Sequence, residues 1–372
     1  MAAIQRYIGV MSGTSLDGID VAVAEIDEDH FRLVAGEAYP IPAQLREQIL
    51  ALTQPSDNEI DRLGELDTAL GELFAECVST FMHTHQLKAC DIHAIGSHGQ
   101  TIRHRPERGF TLQIGDPNII AARTNITTVA DFRRRDLCFG GQGAPLVPAF
   151  HQALFTSNER SRIILNIGGM ANITLLSPHI DSSLTGYDTG PGNVLLDAWI
   201  THSKQLSFDS SGQWAASGSV DKDLLTLLLS TEYFQQPPPK STGRELFHLD
   251  WLLERLETYG QPVAPADVQA TLAELTAITI AHEVARHNLD EVELYVCGGG
   301  AHNTYLMSRL EAHIQPRLIA DTHALGLSPD WVEAAAFAWL AYRNLQQLSG
   351  NCPAVTGASQ ATLLGGVYPA FR

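Results

Sequence analysis

Apolar positions recur along this chain with two periods, and the changes from one to the other mark its elements. "RYIGVMSG" and "GIDVAVAEID" are short, β-branched apolar runs on either side of a polar loop, which predicts a β-hairpin. "FRLVAGEAYPI" reads as a third strand. "AQLREQILALTQ" and "EIDRLGELDTALGELFAECVSTFMHTHQL" change to helical spacing, with Leu63, Leu66, Leu70, Leu73 and Phe74 on one side. "DIHAIGSHGQTIRH" reads as a strand running into a glycine turn. "FTLQIGDPNIIAARTNITTVADFRRRD" gives a strand, a helix start at Asp116-Pro117 and a strand at "ITTVADF".

The second half repeats this order. "SRIILNIGGMANITLLSP" predicts another strand–Gly-Gly–strand hairpin, and "LTGYDTGPGNVLLDAWI" a strand, a glycine loop and a helix. "TLAELTAITIAHEVARHN" is a long helix, "VELYVCGGGAHNTYLMSRLEAHI" a strand, three glycines and a helix, and "DWVEAAAFAWLAYRNLQQL" an alanine-rich helix. Pro237, Pro238 and Pro239 stiffen the loop before Ser241-Thr242-Gly243. The two halves share element order but no close sequence repeat.

Composition narrows the classes. The 372 residues suit two domains. With 44% hydrophobic and 18% charged residues the chain has material for a large core. A net charge of −18 argues against a nucleic-acid partner, which needs clustered Lys and Arg. Cys77, Cys90, Cys138, Cys297 and Cys352 show neither CxxC nor zinc spacing, which points to reduced thiols and a cytoplasmic location. "MAAIQRYIGVMSG" lacks the pattern of a signal peptide, and no run reaches about 18 apolar residues, so no membrane partner is expected.

The polar loop at 12–18 holds Ser12, Gly13, Thr14, Ser15, Leu16, Asp17 and Gly18. A tight turn of this composition gathers backbone N–H groups and hydroxyls into an anion-binding concavity. Asp17 or Asp20 is placed to hold Mg2+, which takes oxygen ligands and keeps several waters. An ordinary hairpin turn is the alternative for one such loop. Three further loops follow apolar strands, at 166–172, 188–193 and 297–303, where ligands of α/β sheets bind. No G-x-x-x-x-G-K-[ST] occurs and no G-x-G-x-x-G follows the first strand, so the loops are neither a Walker P-loop nor a dinucleotide fingerprint.

With these motifs in view, the chain resembles the actin/hexokinase/heat-shock-chaperone ATPase superfamily. Within it, the chain is most similar to the anhydro-N-acetylmuramic acid kinase family, through "GVMSGTSLDGID", "GSHGQTIRH", "DFRRRD", "GGQGAPLVP", "NIGGMANIT", "GYDTGPGN", "CGGGAHN", "GLSPDWVEAAAFAWLA" and "TGAS", which span nearly the whole chain. The resemblance implies an α/β fold of two ribonuclease-H-like/actin-like ATPase domains around a central cleft. The first would be residues 1–135 plus 341–372, with the first phosphate loop and the sugar contacts. The second would be 136–340, with the second phosphate loop and the adenosine motif. It implies ATP and Mg2+, a homodimer, and a double reaction. Water opens the 1,6-anhydro ring of an amino sugar, and the freed O6 takes the γ-phosphate, giving N-acetylmuramic acid 6-phosphate for peptidoglycan recycling.

The same resemblance distributes roles. Loop 12–18 is its first phosphate loop. Asn166, Gly168, Gly169 and Asn172 belong to the second, and Gly298, Gly299, Gly300 and Asn303 to the adenosine motif. Asp188 matches the catalytic aspartate that activates water; by residue type alone it is equally a helix N-cap, a place Asn193 also suits. The run Arg133-Arg134-Arg135, read as extended chain, sets Arg134 opposite its neighbours. Arg134 is the expected ligand of the sugar's lactate carboxylate or of a phosphate, and Asp131 and Asp136 the ion-pair partners of the run. His98 and Gln100 are either sugar ligands or buried structural residues. Glu333 is either a helix N-terminal charge or a sugar ligand, and the resemblance selects the ligand. Two rivals remain: a superfamily kinase for another sugar or a carboxylate, and a nucleotide-dependent regulator, which would have little use for Asp188.

Overall fold

In the computed structural model, residues 4–178, 184–238, 240–289 and 291–371 are described; Pro239 of the proline run lies outside them. The described residues form twelve strands: β1 (Gln5–Ser12), β2 (Ile19–Ile26), β3 (Phe31–Tyr39), β4 (Ile92–Arg105), β5 (Phe110–Ile114), β6 (Thr128–Ala130), β7 (Arg162–Ile167), β8 (Met170–Leu176), β9 (Thr185–Pro191), β10 (Glu293–Cys297), β11 (Leu318–Asp321) and β12 (Gly366–Tyr368). They divide between two α/β units, residues 1–154 with 331–372, and residues 155–330.

The sheet of the first unit has the order β12-β6-β4-β1-β2-β3, with β5 added to β4. β1, β2 and β3 form an antiparallel meander, while β4 runs parallel to β1 and β6 parallel to β4. β1 and β2 are buried along most of their length, which is why they read as near-continuous apolar runs. The helix Glu59–Thr84 contributes Leu66, Leu70, Phe74 and Phe81 to a core shared with Ile8, Val10, Val21 and Ile95. The alanine-rich helix Val332–Leu345 packs on β1, β2 and β4. Gly9 and Gly96 let it approach: a methyl group at either would overlap the carbonyl of Ala334 or Phe337.

The sheet of the second unit has the order β11-β10-β7-β8-β9. It repeats the scheme: an antiparallel meander β7-β8-β9, then β10 and β11 added in parallel on the β7 side. This is the duplicated ribonuclease-H-like order expected from the sequence. The helices Pro265–Ala285 and Thr304–Ile314 cover it with Ala277, Ile280, Leu306 and Leu310 against Ile163, Leu165 and Val296.

Three local expectations change. The segment 91–104 does not stop at its glycine; β4 continues to Arg105, with Gly99 at φ +75°. Asp188 lies in the middle of β9, not at a strand end, because the strand continues to Pro191. Residues 136–154 and 331–340 pack with the first unit, not the second. Asp136 is fully buried there and accepts hydrogen bonds from Asn351 and Thr356, and the helix Val332–Leu345 lies on the first sheet. All five cysteines are free, and no helix among the described residues is long and apolar enough to cross a membrane.

Candidate functional site

In the first unit, the loop 12–18 is held from the neighbouring strand. Parallel pairing sets Ser12 beside Gln100 of β4. Ser12 Oγ donates to Gln100 Oε1 at 2.7 Å, and Gln100 Nε2 donates to the carbonyls of Gly13 and Thr101 at 3.3 and 3.2 Å. Two residues earlier, on the same face, His98 Nδ1 lies 3.2 Å from Ser12 O. His98 and Gln100 are both buried. Their polar atoms are turned to the loop and to Arg133, and so brace the loop. Leu16, at φ +59°, is buried in the core of the first unit, and the Gly13 carbonyl accepts from Leu16 N–H at 3.3 Å. Thr14 and Asp17 are exposed, while Ser15 and Asp20 are half-buried.

The arginine run departs from its expected geometry. Asp131 takes φ +60° after β6, and a short helix begins at Arg134 and ends at Cys138. Side-chain direction therefore changes from period two to period 3.6 within the run. Arg134 is 56% exposed and pairs with Asp131 at 3.4 Å, as the sequence anticipated for Asp131. The inward residue is Arg133. It donates from Nε and Nη2 to His98 Nε2 at 3.2 and 2.9 Å, and from Nη1 to Gly143 O at 2.8 Å. Asp136 bonds Gly143 N–H at 2.7 Å, Asn351 Nδ2 at 2.7 Å and Thr356 Oγ1 at 2.8 Å, and so ties down the turn after the run.

These neighbours set the electrostatics. Burial, with the Arg133 charge beside it, pushes His98 down to about 3, so the imidazole is neutral. Burial pulls Arg133 to about 10, which leaves it protonated at pH 7. Glu333 lies in the first turn of the helix Val332–Leu345. Desolvation holds its carboxyl above the usual range, and Arg133 opposes that shift.

In the second unit, the turn Gly168-Gly169 is hooked to the start of the helix Val194–Lys204. Asn193 N–H donates to Gly168 O at 2.8 Å, and the N–H groups of Gly192 and Val194 donate to Gly169 O at 2.9 and 3.1 Å. The pairing register aligns Asn166 with Asn172 and Asn172 with Asp188, a polar row across β7, β8 and β9. The β8–β9 register shifts between Ala171 and Asn172, next to that row.

The glycines fall into two kinds. A methyl group at Gly192, Gly298 or Gly300 would overlap Gly168 O, Asn166 Oδ1 or the Ile167 side chain. A methyl group at Gly169 would meet nothing within 4 Å, and at Gly13 and Gly299 its nearest neighbours lie 3.7 Å away. The first kind closes the backbone on itself, and the second leaves a bare face. Asn303 caps the helix Thr304–Ile314, its Oδ1 accepting Leu306 N–H at 3.0 Å. In the loop 298–303, then, Gly299 has the open face, while Gly298, Gly300 and Asn303 build the turn.

Asp188 is half-buried, and its Oδ2 accepts the Thr242 N–H at 3.0 Å. Burial pushes its carboxyl up to about 7, opposed by that N–H and assisted by the Glu245 charge. It is not a cap: the helix begins at Val194, and Asn193 donates its Nδ2 to Ile167 O at 3.2 Å. Asp188 is thus a carboxylate poised near neutrality, with one oxygen bonded to the main chain. Sequence reasoning missed Arg133, Thr242 and Lys240 as neighbours of the candidate residues. Only the arginine run carried a signal for any of them.

The sequence model for anhydro-N-acetylmuramic acid kinase matches residues 5–370. Proteins of that name are similar along their whole length. One from Coxiella burnetii (strain Dugway 5J108-111) is 50% identical over 98% of this chain and 97% of its own. One from Photobacterium profundum is 50% identical over 99% and 100%, and one from Saccharophagus degradans 51% identical over 97% and 98%. On this match, which runs through both glycine-loop hairpins and Asp188, the chain belongs to the anhydro-N-acetylmuramic acid kinase family.

Proposed function

We propose that this protein opens the 1,6-anhydro ring of anhydro-N-acetylmuramic acid with water and transfers the γ-phosphate of ATP to O6. The observation that carries the reading is Asp188, a half-buried carboxylate with its affinity for protons raised to about 7. A general base works best with a pKa near the working pH. Asp188 takes a proton from water as the oxygen attacks C1. The C1–O6 bond breaks, and the O6 electron pair forms the bond to the γ-phosphorus as ADP departs. No acid is then needed to protonate the leaving oxygen, unlike the two-carboxylate glycosidases.

The open faces of Gly13 and Gly169, with the hydroxyls of Thr14 and Ser15, suit phosphate oxygens, and the open face of Gly299 suits the adenosine. Arg133 takes the role that extended-chain reasoning gave to Arg134, a fixed cation for a carboxylate or phosphate, with Glu333 beside it as a sugar ligand. Among the described residues, no group of three or more His, Cys, Asp or Glu is placed to hold a metal ion. Two carboxylates beside the loop, Asp17 and Asp20, suit Mg2+, which takes phosphate oxygens and water as its other ligands. Bound there, the ion would neutralise charge on the phosphates. A cytoplasmic homodimer completes the reading: the scattered cysteines support the location, and the dimer rests on the family resemblance alone.

The test is incubation with ATP, Mg2+ and the anhydro sugar in ¹⁸O-water, followed by mass spectrometry. A 6-phosphate carrying one ¹⁸O at C1 is expected. Release of ADP with the anhydro ring intact overturns the reading.

A further inference from the structure

The main-chain groups that hold Asp188 belong largely to one short segment. Lys240 O accepts the Asp188 N–H at 3.1 Å, and the Thr242 N–H donates to Asp188 Oδ2 at 3.0 Å. Residues 240–242 therefore run as a strap along Asp188, gripping both its backbone and its carboxylate. They belong to no helix or strand. The Thr242 hydroxyl is buried with no hydrogen-bond partner among the described residues, so that side chain does not fix the strap.

The anchor is the side chain of Lys240. Its ammonium pairs with Glu283 Oε1 at 2.7 Å, and both side chains are only 3% exposed. It also donates to Tyr233 O at 3.3 Å and lies 4.8 Å from the centre of the Tyr233 ring. The network returns to the same place. Tyr233 OH donates to Asp188 O at 2.8 Å, and Tyr187 OH, one residue before Asp188, donates to Glu283 Oε2 at 3.2 Å. A buried ion pair is a poor way to gain stability, because an apolar pair of equal volume often does as well. What this pair fixes is the position of the strap.

We propose that Lys240 is a positioning residue for the reaction: paired with Glu283, it clamps the strap so that the Thr242 N–H stays aimed at the Asp188 carboxylate. This rests on the reading of Asp188 as the base. A hydrogen bond to the ionised form favours that form. Around Asp188, Glu245 from the continuation of the strap opposes ionisation, and the Tyr233 hydroxyl comes from the 232–235 turn. Behind Tyr187 stand Glu283, Arg286 and His287, from the helix Pro265–Ala285 and the residues after it. A loosened strap leaves burial and Glu245 unopposed, and the carboxylate then keeps its proton to higher pH.

Lys240→Met combined with Glu283→Gln removes both charges together and leaves no unpaired buried ion. The pH profile of kcat is measured for the wild type, this double variant and Lys240→Arg. The acid limb of the double variant is expected to move up by about 0.5 pH unit, with kcat at pH 7 down about twofold. KM for ATP should stay unchanged, and Lys240→Arg should restore the limb. An unmoved limb with full kcat overturns the proposal. If circular dichroism shows the double variant unfolded, Glu283→Gln alone is measured, and an unmoved limb again overturns it. Asp188→Asn separates the two readings. If it turns over the sugar at the wild-type rate, the base assignment fails and the strap's role with it. If it is inactive while the double variant keeps the wild-type limb, only the role of Lys240 fails.

Discussion

Nε2 of His98 accepts from two nitrogens of Arg133, at 3.2 and 2.9 Å, while its Nδ1 faces the Ser12 carbonyl at 3.2 Å. That arrangement fixes the neutral Nδ1–H tautomer and makes the histidine a bracket between the arginine and the first loop. Burial and the arginine charge push its pKa down to about 3. In an NMR titration, His98 is therefore expected to stay neutral from pH 8 to about pH 4. The stability consequence has a definite sign. The folded pKa lies below the unfolded value of about 6.5, so the contribution is complete above pH 6.5 and is lost as pH falls towards 3. His98→Gln should flatten that part of the stability curve, measured by denaturant unfolding between pH 7 and 5. A His98 that protonates near pH 6.5 contradicts the bracket.

Asp188 has the opposite sign. Its folded pKa, pushed up to about 7, lies above the value in an unfolded chain. The native state binds the extra proton between those values, so stability falls as pH rises through that window. At pH 8 the wild type carries an ionised, desolvated carboxylate. Asp188→Asn keeps an acceptor for the Thr242 N–H and carries no charge. It should be more stable than the wild type at pH 8 by about 1 kcal/mol or more, with the difference gone below pH 4. The same variant should lose ring opening altogether. A variant less stable at pH 8 would show that the shift is absent.

The two kinds of glycine predict opposite outcomes for the same substitution. Gly96→Ala puts a methyl group into the Phe337 carbonyl and forces the helix Val332–Leu345 away from β4. Overpacking of this kind costs about 3 kcal/mol. Gly169→Ala meets nothing within 4 Å and should cost under about 1 kcal/mol, yet it covers the face proposed for phosphate. Thermal unfolding should separate the two by several degrees, and KM for ATP should rise only in the soluble, folded Gly169→Ala protein. Equal effects on stability would remove the distinction between closing and ligand-facing glycines.

How far the sequence could be read depended on whether a residue's role is local. The hairpins around Ser12–Gly18 and Gly168-Gly169 were visible because strand period and turn composition are local properties. Gly9 and Gly96 gave no such sign: their need arises from a helix more than 200 residues away in the chain. His98 and Gln100 could be placed at a strand followed by a glycine turn, but not assigned a role. Their contacts to the first loop rest on the β1–β4 register, which sets Ser12 beside Gln100. Arg134 was singled out by assuming period two through a run that begins a helix at Arg134, and one backbone turn at Asp131 changed which arginine points inward. Thr242 reaches Asp188 through its main chain, which no residue pattern encodes.

The arginine run yields the last prediction, because its neighbours differ so sharply in surroundings. Arg133 has three of its nitrogens bonded within the protein and lies close enough to Glu333 to counter the rise in that carboxyl's pKa. Arg134 is 56% exposed and holds a long ion pair with Asp131. An exposed pair of that kind contributes about 0–1 kcal/mol. Arg134→Ala should therefore leave stability nearly unchanged and turnover within about threefold of the wild type. Arg133→Ala should strip His98 Nε2 and Gly143 O of their donors, cost about 1–3 kcal/mol, and reduce kcat/KM for the sugar by at least a hundredfold. Arg133→Lys keeps the charge but not the fork that reaches Nε2 twice, so it should recover folding without recovering turnover. Steady-state kinetics and thermal unfolding of the three variants decide the matter. If Arg134→Ala proves the more damaging, the extended-chain reading of the run was right about the ligand.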